Sequence, residues 1–557
     1  MSNKKTIPHE SATIPPVTKK RYEIQPYSID TLKRLLAREA GTDLAIVEAK
    51  LHCAYFRDYF DKLETRTIVV EKKYVDHDYL EDFTGYYVRC FKPYNRWCTR
   101  LHFFKLEFDE KAFEELLEDP TRRRDPQLIE DEYLGFVVVK PLPKTIIGRT
   151  CLKTFPPEGR RYYPITRCYR ANLFGLNLEV HSLAFQEQDK VVAACSTSAL
   201  WSILQGTGMI FHHHIPSPVE ITRLGTQSSQ SKPPETRHLP SNGLSMSQMA
   251  RAIENHGLEP FYINPENEHL LKNNVYAYLQ GKIPILMTIR LVDYCDGEAP
   301  KFRRDLHAVA VTGYSLGHKD PIPLKKGGDD QDKRSGFLAK ASRIDKLYVH
   351  DDQVGPFIRM EFGQTGAALM LPDDPRPRSS FSLSTSWKCN GGKAGIVRAV
   401  PVALMVPLYH KIRIPYSTIE DLVIAIDRVI EGIREQGATT FKEHLEWDIH
   451  LTTLNDFKTA VRQMVDLAWE VRRKVLLEEM PRFMWRATAY STGEKILDLL
   501  FDATDIEQGS LLTYAIAYRE NLSRIMTFMA NEPEVAEKFK AKVEWKVLSW
   551  FAGASNN

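Results

Sequence analysis

An α+β architecture is expected from three features of the 557-residue sequence. In some stretches apolar residues recur at three- and four-residue steps, the period of a helix with one buried face. In others, short β-branched and aromatic runs stand between turn-forming residues, as in buried strands. Both kinds of segment occur in each of three successive regions, about 26–150, 151–410 and 411–557. They follow a polar tail, residues 1–25, whose composition predicts disorder.

In the first region Asp30 is placed to cap a helix running through Leu35 and Leu36. Thr65–Glu71 and Leu101–Phe108 read as strands, Ala112–Leu117 as a short helix, and Tyr133–Pro141 as the closing strand. Arg122–Arg124 reads as a solvated basic loop. In the central region, Cys195–Leu204 has one apolar helical face formed by Ala199, Leu200, Ile203 and Leu204. Thr222–Pro240 is polar and reads as a surface loop. Ser245 and Gln248 form a capping box for a helix that stops at Gly257. Leu271–Arg290 reads as helix, turn and strand, with Gly281 and Pro284 at the break. Leu306–Tyr314 and Lys346–Asp351 are short buried strands. The charged, Gly-rich segment Gly317–Arg343 between them is expected to be a mobile insertion flanking the cleft, outside the core.

The third region opens with a second capping box, Ser417 to Glu420, before a stripe of Leu422, Ile424, Ala425, Val429 and Ile433. Trp447–Thr452 is strand-like and Phe457–Leu477 helical. Phe483–Tyr490 and Ile496–Asp505 read as buried strands. This region is expected to be a separate α+β domain.

Three segments can supply one chemical site. Cys195 opens its helix, where the exposed N–H groups favour a thiolate, and Ser196, Thr197 and Ser198 suit a first turn that needs capping. His307 stands at the start of one strand. Asp351 and Asp352 end another. Cys, His and Asp in that order can act as nucleophile, base and orienting acid. Asp351 is the preferred acid, with Asp352 the alternative. An inert core cysteine, a strand-end histidine and a turn aspartate are the competing readings of the same residues.

These residues resemble the papain-like cysteine peptidase superfamily, and within it the group related to bacteriocin-leader-processing peptidases, over about 173–357. Five blocks carry the resemblance in order: Gln186–Gln188, Cys195–Leu200, Gly243–Leu258, Leu271–Arg290, and the paired strands Leu306–Tyr314 and Tyr348–Asp351. Ser196 and Thr197 replace the Gly-Pro that usually follows the family's cysteine, and Gln188 lies one position further from Cys195 than usual. The resemblance implies a two-lobe core with a helical lobe, an antiparallel β lobe and a cleft between them. It implies hydrolysis of a peptide bond through a thioester, with Cys195, His307 and Asp351 as triad. Gln188, or Gln186 in its place, would be the oxyanion donor beside the Cys195 N–H. No cofactor or metal is called for. The flanking domains would select a protein or peptide substrate, or engage a regulatory protein. Acyl transfer or deamidation on the same fold, or an inactive scaffold that binds protein, are the alternatives.

Composition bounds the setting. Lys plus Arg number 75 against 72 Asp plus Glu, so there is no overall basic footprint for nucleic acid. The longest apolar run, Ile396–Leu408, is interrupted by Arg398, Pro401 and Pro407 and is too short for a bilayer. No apolar stretch follows Met1 as a secretion signal would require. Eight scattered cysteines do not suggest a disulfide scaffold. A cytoplasmic, bacterial enzyme is expected. Other metal-like groupings are weak: His212–His214 point alternately along the chain, Asp498, Asp502 and Asp505 read as strand-end carboxylates, and Cys90, Cys98 and His102 lack a fourth ligand.

Overall fold

The computed structural model describes residues 20–554, apart from 119–125, 190, 192–193, 228–242, 325–335, 365–380, 438–440, 442, 466, 505, 507–510, 534–536 and 538–542. The basic triplet Arg122–Arg124, most of the polar loop to Pro240, the centre of the Gly317–Arg343 insertion, and Asp505 lie outside the described residues. The fold is α+β.

The first sheet runs β1 (Tyr22–Pro26), β2 (Thr67–Tyr74), β3 (Cys98–Phe104), β4 (Tyr133–Val139), β5 (Ile147–Leu152), in sequence order and antiparallel throughout. All seven residues of β3 and all seven of β4 are buried, because helices cover both faces. Leu36, Phe56 and Phe60 of the helices Ile29–Ala40 and Leu51–Lys62 pack on one face with Phe103. Val69, Phe104 and Val138 on the other face join Leu200 and Ile203 of the Cys195 helix. Two expectations are corrected here. Tyr22–Gln25, assigned to a disordered tail, form β1; main-chain pairing with β2, Tyr22 opposite Glu71, and packing of Tyr22 and Ile24 on the core order a segment too short to read as a strand. The cap of the first helix is Ser28, whose side chain accepts from Thr31 N, so Asp30 sits in the first turn, two residues past the cap.

In the central region β6 (Arg161–Tyr162) and the hairpin β7 (Arg167–Leu173) and β8 (Leu176–Ser182) lead to the helix Cys195–Phe211. The helices Pro218–Thr226 and Met246–Asn255 follow, the second with the Ser245–Gln248 capping box in place. Thr222–Thr226 therefore belong to a buried helix and not to the expected surface loop. Beyond β9 (Glu259–Ile263) and the helix Glu268–Gln280 come β10 (Ile285–Cys295), β11 (Lys301–Leu316), β12 (Leu338–Ala339), β13 (Ile344–Asp351), β14 (Gly355–Gln364), β15 (Phe381–Ser384) and β16 (Gly395–Leu408). The order is β10-β11-β13-β14-β15-β16-β9, and β16 also pairs with β10, so the antiparallel sheet closes on itself. Closure gives the barrel strands neighbours on both sides, with β9 lying outside on β16. β16 tolerates Pro401 because the ladder bulges there, Ile289 pairing with Pro401 next to Thr288 with Ala403.

The last region carries β17 (Glu446–Thr453), β18 (Phe483–Ser491), β19 (Glu494–Asp502) and β20 (Leu512–Ala517). The helix Tyr416–Glu435 has Pro415 at its cap position with no side-chain cap, so the second capping box does not form. Glu420 turns inward and accepts from Asn273 (2.6 Å) and Tyr416 (3.1 Å), with the His269 imidazole 3.0 Å away. The expected single helix Phe457–Leu477 is two, Leu454–Gln463 and Trp469–Leu477. One apolar core runs from the barrel (Val311, Leu347) through Tyr278 to Trp485 and Ile426, so this region shares its core with the barrel.

The insertion also departs from expectation. β12 pairs in parallel with β17, extending the C-terminal sheet, and Phe337 and Ala341 are buried in the shared core. Ala310 pairs with His350 while Leu316 pairs with Ile344. The connection between β11 and β13 therefore leaves at the end of the strands remote from His307 and Asp351. Antiparallel geometry puts base and acid at one end and the insertion at the other.

Candidate functional site

The Cys195 helix begins after Ala194, which is extended at φ −64°, ψ 176° and provides no side-chain cap. The hydroxyls next in line tie the helix to its neighbours instead of capping it. Ser196 Oγ accepts from Leu244 N at 2.8 Å, and Thr197 Oγ1 meets Thr222 Oγ1 at 3.2 Å. Ala199 packs in one apolar cluster with Ala308 and Ala310 of β11. Small residues at this crossing let helix and strand approach closely, which brings the half-buried Cys195 to the imidazole of His307.

β11 extends six residues ahead of His307 as a largely exposed arm, and His307 is its first buried residue. The pairing with β10 bulges there, and Arg290 Nη1 donates to the carbonyls of Arg303 (3.2 Å) and Arg304 (2.9 Å). A bulge re-aims the side chain that follows it. His307 is 7% exposed. Its Nε2 lies 3.0 Å from Asp351 Oδ1 and 3.6 Å from Asp352 Oδ1. The Cys195 thiol lies close enough to the same imidazole to help raise it. With Nε2 engaged by Asp351, Nδ1 is the nitrogen left for the thiol.

Asp351 accepts two further bonds, from Trp387 Nε1 at 2.8 Å and Gln353 N at 3.1 Å. The Trp387 ring stands edge-on to His307 with centroids 5.1 Å apart. Burial opposes charge on both partners. Attraction and hydrogen bonding with Asp351 nevertheless raise the imidazole well above its usual pKa, and His307, Trp387 and Gln353 together hold the Asp351 carboxyl below its usual value. Asp352 differs: burial and the adjacent Asp351 charge outweigh His307 and push it up to about 7. Its Oδ2 accepts from Gln353 Nε2 at 3.1 Å. The two neighbouring aspartates thus have opposite electrostatics, with Asp351, the preferred acid, the direct partner of the imidazole.

Gln188 is half-buried and lines a cleft of about 620 Å3 together with Leu306, His307, Gln353 and Trp387. Gln186 is buried behind it, in a small space with Ser198, Ala199, His350 and Asp352. His350, next to the acid, is structural: Nε2 meets Leu183 O at 3.0 Å, Nδ1 accepts from Phe357 N at 3.1 Å, and burial lowers it to about 3.

Among the described residues, only His307, Asp351 and Asp352 form a group of three with metal-ligand spacing. Trp387 and Gln353 already donate to Asp351 there, so its oxygens are shared with N–H donors. Elsewhere Asp498 is bound by Arg486 at 2.6 and 3.0 Å, His102 lies between Tyr133 and Glu71, and His213 meets Thr207 and His256. No described helix is long and apolar enough to cross a membrane. Trp387 was not legible as a site residue. It lies in the irregular stretch after β15, and only the closure of the barrel carries it to Asp351.

No protein-family model matches this chain, and comparison with curated proteins and with solved structures finds no match.

Proposed function

We propose that the chain is a cysteine peptidase with a papain-like two-lobe core, acting on a peptide bond of a protein or peptide substrate. The observation that carries this reading is the hydrogen-bonded pair His307 and Asp351 with Cys195 beside the imidazole, assembled at the start of a helix and beside a cleft. A nucleophile helix packed against a closed antiparallel barrel that supplies base and acid is the layout the papain-like resemblance implies. The raised imidazole favours the cation that must stand beside an attacking thiolate.

In this reading the Cys195 sulfur attacks the scissile carbonyl. The oxygen that becomes negative is met by the Cys195 N–H and the Gln188 side-chain amide. His307 gives its proton to the leaving amine, and the C–N bond breaks to leave a thioester. His307 then takes a proton from water, hydroxide adds to the thioester, and the acid departs as the proton returns to sulfur. Asp351 holds the ring throughout, and Trp387 and Gln353 hold Asp351.

The test is labelling by a peptidyl electrophile, with mass spectrometry of the modified peptide. Cys195 should react ahead of the other seven cysteines, and Cys195→Ala should abolish labelling and turnover while keeping the thermal transition. Equal labelling of several cysteines, or turnover surviving in Cys195→Ala, overturns the proposal.

A further inference from the structure

The segment that carries Gln188 is built onto the N-terminal sheet and not onto the barrel. Thr150 N donates to Phe185 O at 2.8 Å and Phe185 N to Thr150 O at 2.9 Å, so Phe185 extends the ladder at the edge strand β5. Glu187 N donates to Ile147 O at 3.0 Å. The two acidic residues on either side of Gln188 then reach into the same module. Glu187 Oε2 accepts from Ile146 N (2.9 Å) and Ile147 N (3.0 Å), while Oε1 pairs with Lys50 Nζ. Lys50 Nζ also donates to Lys144 O at 2.8 Å. Asp189 Oδ2 accepts from the Tyr87 hydroxyl, and its Oδ1 from Val191 N at 2.9 Å.

Glu187 and Asp189 are 6% and 2% exposed, and Tyr87 is 5% exposed. Buried charges are stable in such places only when paired and hydrogen-bonded, and these are. In extended chain, residues 187 and 189 point one way and 188 the other. Gripping Glu187 and Asp189 on the N-terminal side therefore fixes Gln188 toward the cleft, where it lies.

We propose that Lys50 and Tyr87 are positioning residues for the oxyanion donor, and that the N-terminal module serves as the platform holding Gln188 in place. This rests on the reading of Cys195 as nucleophile and Gln188 as donor. The chemical reason is preorganisation. An amide donor helps a developing oxyanion only if it is already aimed at the position the oxygen will occupy, and a donor on a loose segment must be ordered at the moment of reaction. Neither Lys50 nor Tyr87 lines the cleft, so their removal should act on the transition state and spare ground-state binding.

The experiment compares two reactions of Cys195 in the full chain. Iodoacetamide alkylates sulfur by direct displacement and forms no oxyanion. p-Nitrophenyl acetate acylates sulfur through a tetrahedral oxyanion and releases nitrophenolate. Lys50→Met and Tyr87→Phe should keep the iodoacetamide rate of the parent. Both should slow acylation by about 10- to 100-fold, up to the loss given by Gln188→Ala, which is on the order of 100-fold for one oxyanion donor. The loss should fall on kcat and leave KM in place, and Lys50→Arg should restore part of it. The double variant Lys50→Met with Gln188→Ala should be no slower than Gln188→Ala alone, because Lys50 acts only through Gln188. Tyr87→Phe removes a single hydroxyl and serves if Lys50→Met does not fold. Acylation at the parent rate in Tyr87→Phe and Lys50→Met, or losses that add to that of Gln188→Ala, overturns the proposal. If the parent Cys195 reacts with neither reagent ahead of the other thiols, the catalytic reading fails, and this proposal fails with it.

Discussion

Replacing Asp351 by Asn tests the electrostatics of the site at nearly constant shape. The carboxylate accepts from His307, Trp387 and Gln353 at 3.0, 2.8 and 3.1 Å, and the carboxylate and imidazole are buried. At 3.0 Å the attraction between carboxylate and imidazolium is about 5 kcal/mol for an effective dielectric near 20. Removing one partner of a buried pair leaves about 3–5 kcal/mol uncompensated, because the remaining charge has lost its counter-ion. The Asn amide also sets an N–H against either His307 or Trp387, both of which donate. If that cost falls on the step in which the imidazolium must exist, turnover drops by about 10²- to 10⁴-fold. The sign of the pH effect follows from the imidazole. Asp351 raises its pKa, so without Asp351 the proton leaves at lower pH, and the alkaline limb of the turnover profile, where the imidazolium must protonate the leaving amine, moves to lower pH. Stability follows the same sign. The contribution of His307 is complete below its unfolded pKa, near 6.5, and is lost as pH rises through the raised folded value. The assay is the pH dependence of Cys195 alkylation and of turnover in both proteins. An unchanged profile in Asp351→Asn, with the collapse appearing in Asp352→Asn instead, would refute the assignment of Asp351 and the reasoning behind it.

Asp352→Asn should behave differently. The folded-state pKa of Asp352 is raised to about 7, so its contribution to stability is present at low pH and lost as pH rises through that value. The neutral variant should melt higher than the parent at pH 8 and close to it only below about pH 4, under the unfolded pKa, by calorimetry; a lower melting temperature at pH 8 would contradict this. Trp387→Phe keeps the ring beside His307 but removes the donor to Asp351. A hydrogen bond to a charged group contributes about 1.5–3 kcal/mol, so kcat should fall by about 10- to 100-fold with the fold intact. Unchanged kcat would mean that Trp387 only packs. Phe337→Ala should destabilise the chain by about 3–5 kcal/mol in urea, because Phe337 is buried in the core shared by barrel and C-terminal sheet. A loss below about 1 kcal/mol would return the insertion to the surface, since substitutions away from buried features usually cost little.

Local signals in the sequence settled the α+β class, most elements and the candidate chemical trio. Each depends on periodicity or on a short pattern: the stripe after Cys195, the Ser245–Gln248 box, the β-branched runs of β4, β11 and β13. Where several local solutions were equally good, tertiary contacts chose between them. Ser417 and Glu420 fit a capping box in sequence, but Glu420 is taken by His269 and Asn273 of another helix. Tyr22–Gln25 look like tail until the edge of β2 orders them. Asp351 and Asp352 are chemically identical neighbours, and only the strand end, with Gln353 turning back and Trp387 arriving from elsewhere, lowers one and raises the other. The bonds from Lys50 to Glu187 and from Tyr87 to Asp189 span more than one hundred residues. No periodicity encodes such contacts. They exist because the edge of the five-stranded sheet takes up the short segment ahead of Cys195, and burial there leaves each charged group stable only with the partner that packing provides.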